Sequence, residues 1–112
     1  MERKYPAISQ ALTLFSVEVG LDDEVAYRMI DESLKNEEYS RDFRSQLEGA
    51  LTDGSVSWKK ALDDGEAVTV YPADEEEEAR SFVVELLWKY YYPNERLPTL
   101  VAAANKSKHS EL

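Results

Sequence analysis

Apolar residues return every three or four positions in one segment after another of this 112-residue chain, a spacing that belongs to helices with one buried face. Ile8, Ala11, Leu12, Phe15 and Val19 share such a face, with Pro6 suited to a first helical turn and Gly20 to a stop, so a helix is expected over 6–19. Asp22 then heads a second helix that turns Ala26, Met29, Ile30 and Leu34 inward and Asp23, Glu24, Asp31 and Glu32 outward, and ends near Asn36. A third passes through Tyr39, Phe43, Leu47, Ala50 and Leu51; Gly49 weakens it by about 1 kcal/mol relative to alanine, and Asp53-Gly54 closes it. Ser55 or Ser57 is placed to cap a short fourth helix over 58–62, which stops at Asp63-Asp64-Gly65.

One stretch alone reads as a strand. Val68 and Val70 alternate with Thr69 and Tyr71, yet no second such run exists to pair with them, so 66–73 is expected as an extended connector or irregular turn. The last long helix opens on Asp74, Glu75, Glu76, Glu77 and Glu78, with Asp74 as N-cap and Glu77 as the return half of a capping box. Its core stripe is Ala79, Phe82, Val83, Leu86 and Tyr90, and it stops at Tyr92 before Pro93. Residues 98–104 read as a last short helix. The expected architecture is all-α: a small antiparallel bundle of four to five helices in a single domain over 1–104, with an irregular extended connector around 66–73 and a polar C-terminal tail over 105–112.

The formal net charge is −10, and its distribution is uneven: 0 over residues 1–20, −6 over 21–54, −6 over 55–78 and +2 over 79–112. Such a field repels nucleic acid and anionic membranes and speeds encounter with a basic protein, although many proteins carry acid for solubility alone. No apolar run approaches the ~20 residues of a membrane helix, and the opening Met1-Glu2-Arg3-Lys4-Tyr5-Pro6 lacks the core of a signal peptide. The absence of cysteine fits a reducing compartment. A cytoplasmic location is expected, with neither nucleic acid nor membrane as partner.

The inventory for catalysis is thin. The sole histidine, His109, falls in the tail; there is no thiol nucleophile, no Gly-rich phosphate loop and no His-x-x-x-His pair. Asp63, Asp64 and Glu66 lack the alternate spacing and closing glutamate of a calcium loop. The chain is therefore expected to be no enzyme and to need neither cofactor nor metal.

Aromatic residues supply the other candidate chemistry. Tyr90, Tyr91 and Tyr92 are consecutive, so on a helix they point about 100° apart and at least one is exposed. Trp88 and Tyr92 share a stripe of their own and either pack under the tail or form a patch. Tyr71, beside Pro72 and ahead of the glutamates, either anchors a partner or folds over the helix start.

Two local likenesses bear on function. The opening Tyr5-Pro6-Ala7-Ile8-Ser9-Gln10, followed by Leu12 and Phe15, resembles the start of the small helical immunity proteins of bacterial contact-dependent growth inhibition systems. The layout of a short acidic chain ending in a Trp- and Tyr-bearing helix is similar too, and the departure comes after Phe15, where Ser16-Val17-Glu18-Val19 replaces a His-Gln-Asp-Trp type segment. Residues 65–74 resemble the Tyr-Tyr-Pro-Ser-Asp region of the nuclease-colicin immunity proteins, which bind a basic DNase through paired tyrosines and helix II carboxylates; Tyr71 matches one tyrosine and Val70 stands at the other. These resemblances imply a monomer that neutralises a cognate basic toxin domain, a nuclease, in a 1:1 complex. The expected binding surface is Asp63, Asp64, Glu66, Tyr71, Asp74, Glu75, Glu76 and Glu78, with Asp22, Asp23, Asp31 and Glu32 as a competing patch. The alternatives are an acidic nucleic-acid mimic that inhibits a restriction or regulatory protein, and a helical adaptor module.

Overall fold

A computed structural model of the chain describes residues 4–65 and 68–98. The regular elements of these residues are all helical: α1 (Pro6–Thr13), α2 (Asp23–Leu34), α3 (Glu37–Thr52), α4 (Trp58–Leu62) and α5 (Glu76–Val83), the last running without a break through a π-helical turn (Val84–Trp88) into a final short turn, α6 (Lys89–Tyr91). Glu66, residues 99–104 of the expected last helix, and the tail over 105–112 with His109 lie outside the described residues. No helix among the described residues is long and apolar enough to cross a membrane.

α3 is the hub. It packs against α1 and α2, while α4 packs against α1 and α5. Ile8, Leu12, Phe43, Leu47, Leu62 and Leu87 are wholly buried in one shared core, where truncation of a large aliphatic side chain to alanine costs about 2–5 kcal/mol. The helix starts are satisfied by one distant and one local side chain: Gln46 of α3 accepts the Ala7 N–H of α1 at 2.8 Å, and the N-cap Asn36 accepts the Tyr39 N–H of α3 at 2.9 Å. α2 therefore ends at Leu34, because Asn36 is already the cap of the next helix. Gly49 has a positive role beyond its low helix propensity, since a Cβ there would sit 3.2 Å from the Tyr5 ring. The Tyr5 hydroxyl donates to Asp53 at 2.8 Å, beside the Lys4–Asp53 ion pair at 3.0 Å. At the same end of α3 Arg80 donates to the carbonyls of both Leu51 and Pro98, and further back along the helix Arg44 forms a two-pronged ion pair with Glu95 while lying over the Tyr92 ring.

Four expectations are corrected. The first helix stops at Thr13, well short of residue 19, because 16–17 leaves it to pair with the connector. The Val17 N–H donates to the Thr69 carbonyl at 2.9 Å and the Thr69 N–H to the Ser16 hydroxyl oxygen at 3.0 Å; Gly20 closes the turn at φ 74° and Val19 is exposed. The same contacts show how the lone strand-like run is accommodated. Residues 68–73 form an irregular connector, in which Thr69 forms an antiparallel bridge to Asp63, the Val70 N–H donates to Leu62 O at 2.6 Å and the Ala73 N–H to Tyr71 O at 3.0 Å. The end of one helix and one turn take the place of a second strand.

The second correction is at the start of α5, where the N-cap is Glu75 and Glu78, not Glu77, reaches back to accept the Asp74 N–H at 3.0 Å. The third concerns the core stripe. Ala79 and Val83 are buried as expected and Phe82 is partly buried against the core, but the π-turn that follows holds one residue more than an α-turn, so the buried positions become Val84, Leu87 and Trp88, leaving Leu86 partly buried, Tyr90 51% exposed and Tyr91 half-buried. On α2, Met29 is exposed where burial was expected.

Candidate protein-binding surface

The acidic corner is built where α4 meets α5, and much of its charge is already engaged. Glu76 caps α4: one carboxylate oxygen accepts the N–H groups of Trp58 at 2.8 Å and Lys59 at 3.3 Å, and the other accepts the Ser57 hydroxyl at 2.7 Å. Five-residue α4 leaves its first N–H groups without carbonyl partners, so this carboxylate closes a need of the fold. Asp63 is the C-cap of the same helix and accepts the Gly65 N–H at 3.1 Å; Asp64 accepts the Val68 N–H at 3.0 Å.

Tyr71 folds over the start of α5. Its ring stacks on Phe82 at 4.4 Å and 7°, and its hydroxyl donates to Glu78 at 2.5 Å. That bond raises the Tyr71 pKa and holds the Glu78 carboxyl below its ordinary value, aided by the Asp74 N–H. Asp74, Glu75 and Glu77 remain exposed to water. The structure thus brings Asp63 and Glu76 to opposite ends of α4 and joins Tyr71, Asp74 and Glu78 in one hydrogen-bonded group.

A second acidic surface is made differently. On α2, Asp23, Tyr27 and Asp31 follow at four-residue spacing and share a stripe, whereas Asp22 and Glu32 each lie five residues from Tyr27, about 140° around the helix. Tyr27 meets Phe15 edge-on at 5.0 Å and stacks on Tyr90 at 3.8 Å and 10°. Its hydroxyl donates to the Leu86 carbonyl inside the π-turn at 2.7 Å. Burial, then the Tyr90 phenol and the Asp23 carboxylate, push the Tyr27 pKa up to about 12. Asp31 stands by Tyr91 in the same way: burial first and then this carboxylate drive that phenol far up, while the buried hydroxyl falls outside ordinary hydrogen-bond geometry. Glu32 pairs with Lys35 at 3.0 Å and Glu24 with Arg28 at 3.8 Å.

Tyr27 and Tyr90 were not among the sequence candidates. The spacing of Asp23, Tyr27 and Asp31 was visible on α2, but regular helical phasing sends Tyr90 into the core and away from them. Trp88, by contrast, resolves to the core, stacked obliquely with Tyr92 at 4.9 Å. Comparison of the chain with protein-family models, with curated proteins and with solved structures returns no match.

Proposed function

We propose that this chain is an immunity protein that binds and neutralises a cognate basic toxin domain, a nuclease of a contact-dependent growth inhibition or bacteriocin system. The observation that carries the reading is the concentration of net charge −12 in residues 21–78, flanked by segments of 0 and +2. A cationic nuclease groove is complementary to such a field, which accelerates association and leaves short-range contacts to slow dissociation. The carboxylates of the acidic corner contribute to that field, Asp74 and Glu75 from the open surface and Asp63, Asp64, Glu76 and Glu78 from positions engaged within the fold, beside Tyr71. The chain acts in the cytoplasm as a binding protein without catalytic chemistry of its own, as a monomer entering a 1:1 complex. Its helices form an antiparallel bundle, a reading supported by the short connection of Lys35 and Asn36 between α2 and α3.

A nucleic-acid mimic would carry phosphate-like charge along its whole length, and the +2 over residues 79–112 speaks for the immunity reading instead. The deciding experiment is co-expression with the basic C-terminal nuclease domain of a contact-dependent toxin, sought as the product of a gene directly upstream. Restored growth and a 1:1 complex whose association slows with salt are expected. Growth arrest with no complex at low salt overturns the reading.

A further inference from the structure

We propose that the Tyr27–Tyr90 stack, flanked by Asp23 and Asp31, is the anchor point of the binding surface, and that it receives an arginine side chain from a basic partner protein. This rests on the binding role argued above and specifies where it resides. Tyr90 is half exposed with one ring face held against Tyr27 at 3.8 Å, so its other face is available, and Tyr27 is itself pinned by the 2.7 Å bond to Leu86. A ring fixed on one side presents a flat, preorganised platform that loses little entropy on binding.

The element that presents it breaks a rule. In a regular helix Tyr90 falls on the stripe of Ala79, Val83 and Leu86; the π-turn removes it from that stripe and stands it against α2. Such turns are less favourable than α-turns and recur at functional sites. Here the turn sends Trp88 inward and supplies the carbonyl that fixes Tyr27, so one irregularity builds both the core contact and the platform.

Charge complementarity selects the occupant. Asp23 and Asp31 sit one helical turn either side of Tyr27, and both are exposed carboxylates that act on the neighbouring phenols. A planar guanidinium is suited to stack on an aromatic face while its N–H groups reach flanking carboxylates. A second copy of the chain carries the same −10 charge and is repelled. Tyr71 is the less open ring: it is partly buried where Tyr90 is exposed, and the nearest carboxylate, Glu78, is already occupied by its hydroxyl.

The test is a titration of isotope-labelled protein with an octa-arginine peptide, followed by NMR at residue resolution, with octa-lysine as second probe. Shifts centred on Asp23, Tyr27, Asp31 and Tyr90 are expected, with octa-arginine favoured over octa-lysine. Tyr90→Ala should weaken octa-arginine binding about two- to fivefold, while Tyr90→Phe, which keeps the ring, stays within about 1.5-fold. Tyr90 is at the surface, and unchanged resonances of Phe43 and Leu47 would verify that the variant folds. Shifts centred on residues 74–78, shifts spread evenly over exposed carboxylates, the absence of binding, or an unaffected Tyr90→Ala each overturn the proposal. The growth assay separates the two readings: rescue with shifts at 74–78 retains immunity and removes this anchor, whereas shifts at the stack without rescue retain the anchor and remove immunity.

Discussion

The corner around α4 and the face formed by α2 and Tyr90 are both acidic and both carry a stacked tyrosine, yet they use those groups in opposite ways. At the corner, Glu76 closes the open end of α4 and Glu78 secures Tyr71, so carboxylates serve as internal acceptors. On α2 the carboxylates of Asp23 and Asp31 flank a tyrosine whose stacking partner is half exposed. Charge density alone does not separate a structural acid from one available to a partner; the location of nearby N–H groups does. A short helix such as α4, with its first N–H groups unmatched, draws in the nearest carboxylate, whereas at α2 the N-cap Asp22 makes no side-chain cap bond and Asp31 lies beyond the first turn.

The largest effect expected from this contrast is on stability. Glu76→Ala should lower it by about 1–2 kcal/mol through loss of the α4 cap, read from urea unfolding. Tyr27→Phe should come next, at about 1 kcal/mol, because the Leu86 carbonyl loses its donor while the ring stack survives. The same variant should flatten the alkaline unfolding limb. Since the folded Tyr27 pKa of about 12 is raised above its unfolded value, its contribution is full below the unfolded pKa and lost as pH rises through the folded one.

Asp22→Ala should fall within about 0.5 kcal/mol of the parent, since Asp22 occupies the N-cap of α2 without making a side-chain cap bond. If this variant proves as costly as Glu76→Ala, the distinction between engaged and available acids collapses. The smallest effect is confined to low pH. The folded Glu78 pKa is lowered, so its contribution is present above the unfolded pKa and disappears as pH falls through the folded one. Glu78→Gln should therefore give a shallower acid limb in a pH series of thermal unfolding.

Features whose causes lie within a few residues were legible in the sequence. α4 was expected at its observed position because Ser57, its cap, lies next to Trp58, and the burial of Phe43, Leu47 and Leu51 followed from their spacing. The early end of α1 depends on Thr69, more than fifty positions away, and was not. The cap that Glu76 supplies to Trp58 bridges 18 positions, so Glu76 read as a surface acid. The π-turn is hardest of all, because no residue type in Val84-Glu85-Leu86-Leu87-Trp88 marks an inserted position. It emerges only when Trp88 must enter the core and Tyr27 needs an acceptor, and with it the candidate anchor at Tyr90 was hidden.

The convergence on the last turn of α3 has a mechanical consequence. Lys4 and Tyr5 are tied to Asp53, and Arg80 ties Leu51 to Pro98, so positions 4 and 98 are both fastened within three residues of one helix end. Tension applied between those positions meets the Asp53 and Arg80 fastenings before it reaches the interior. α2 makes neither fastening, so tension between those two points reaches it only after they give.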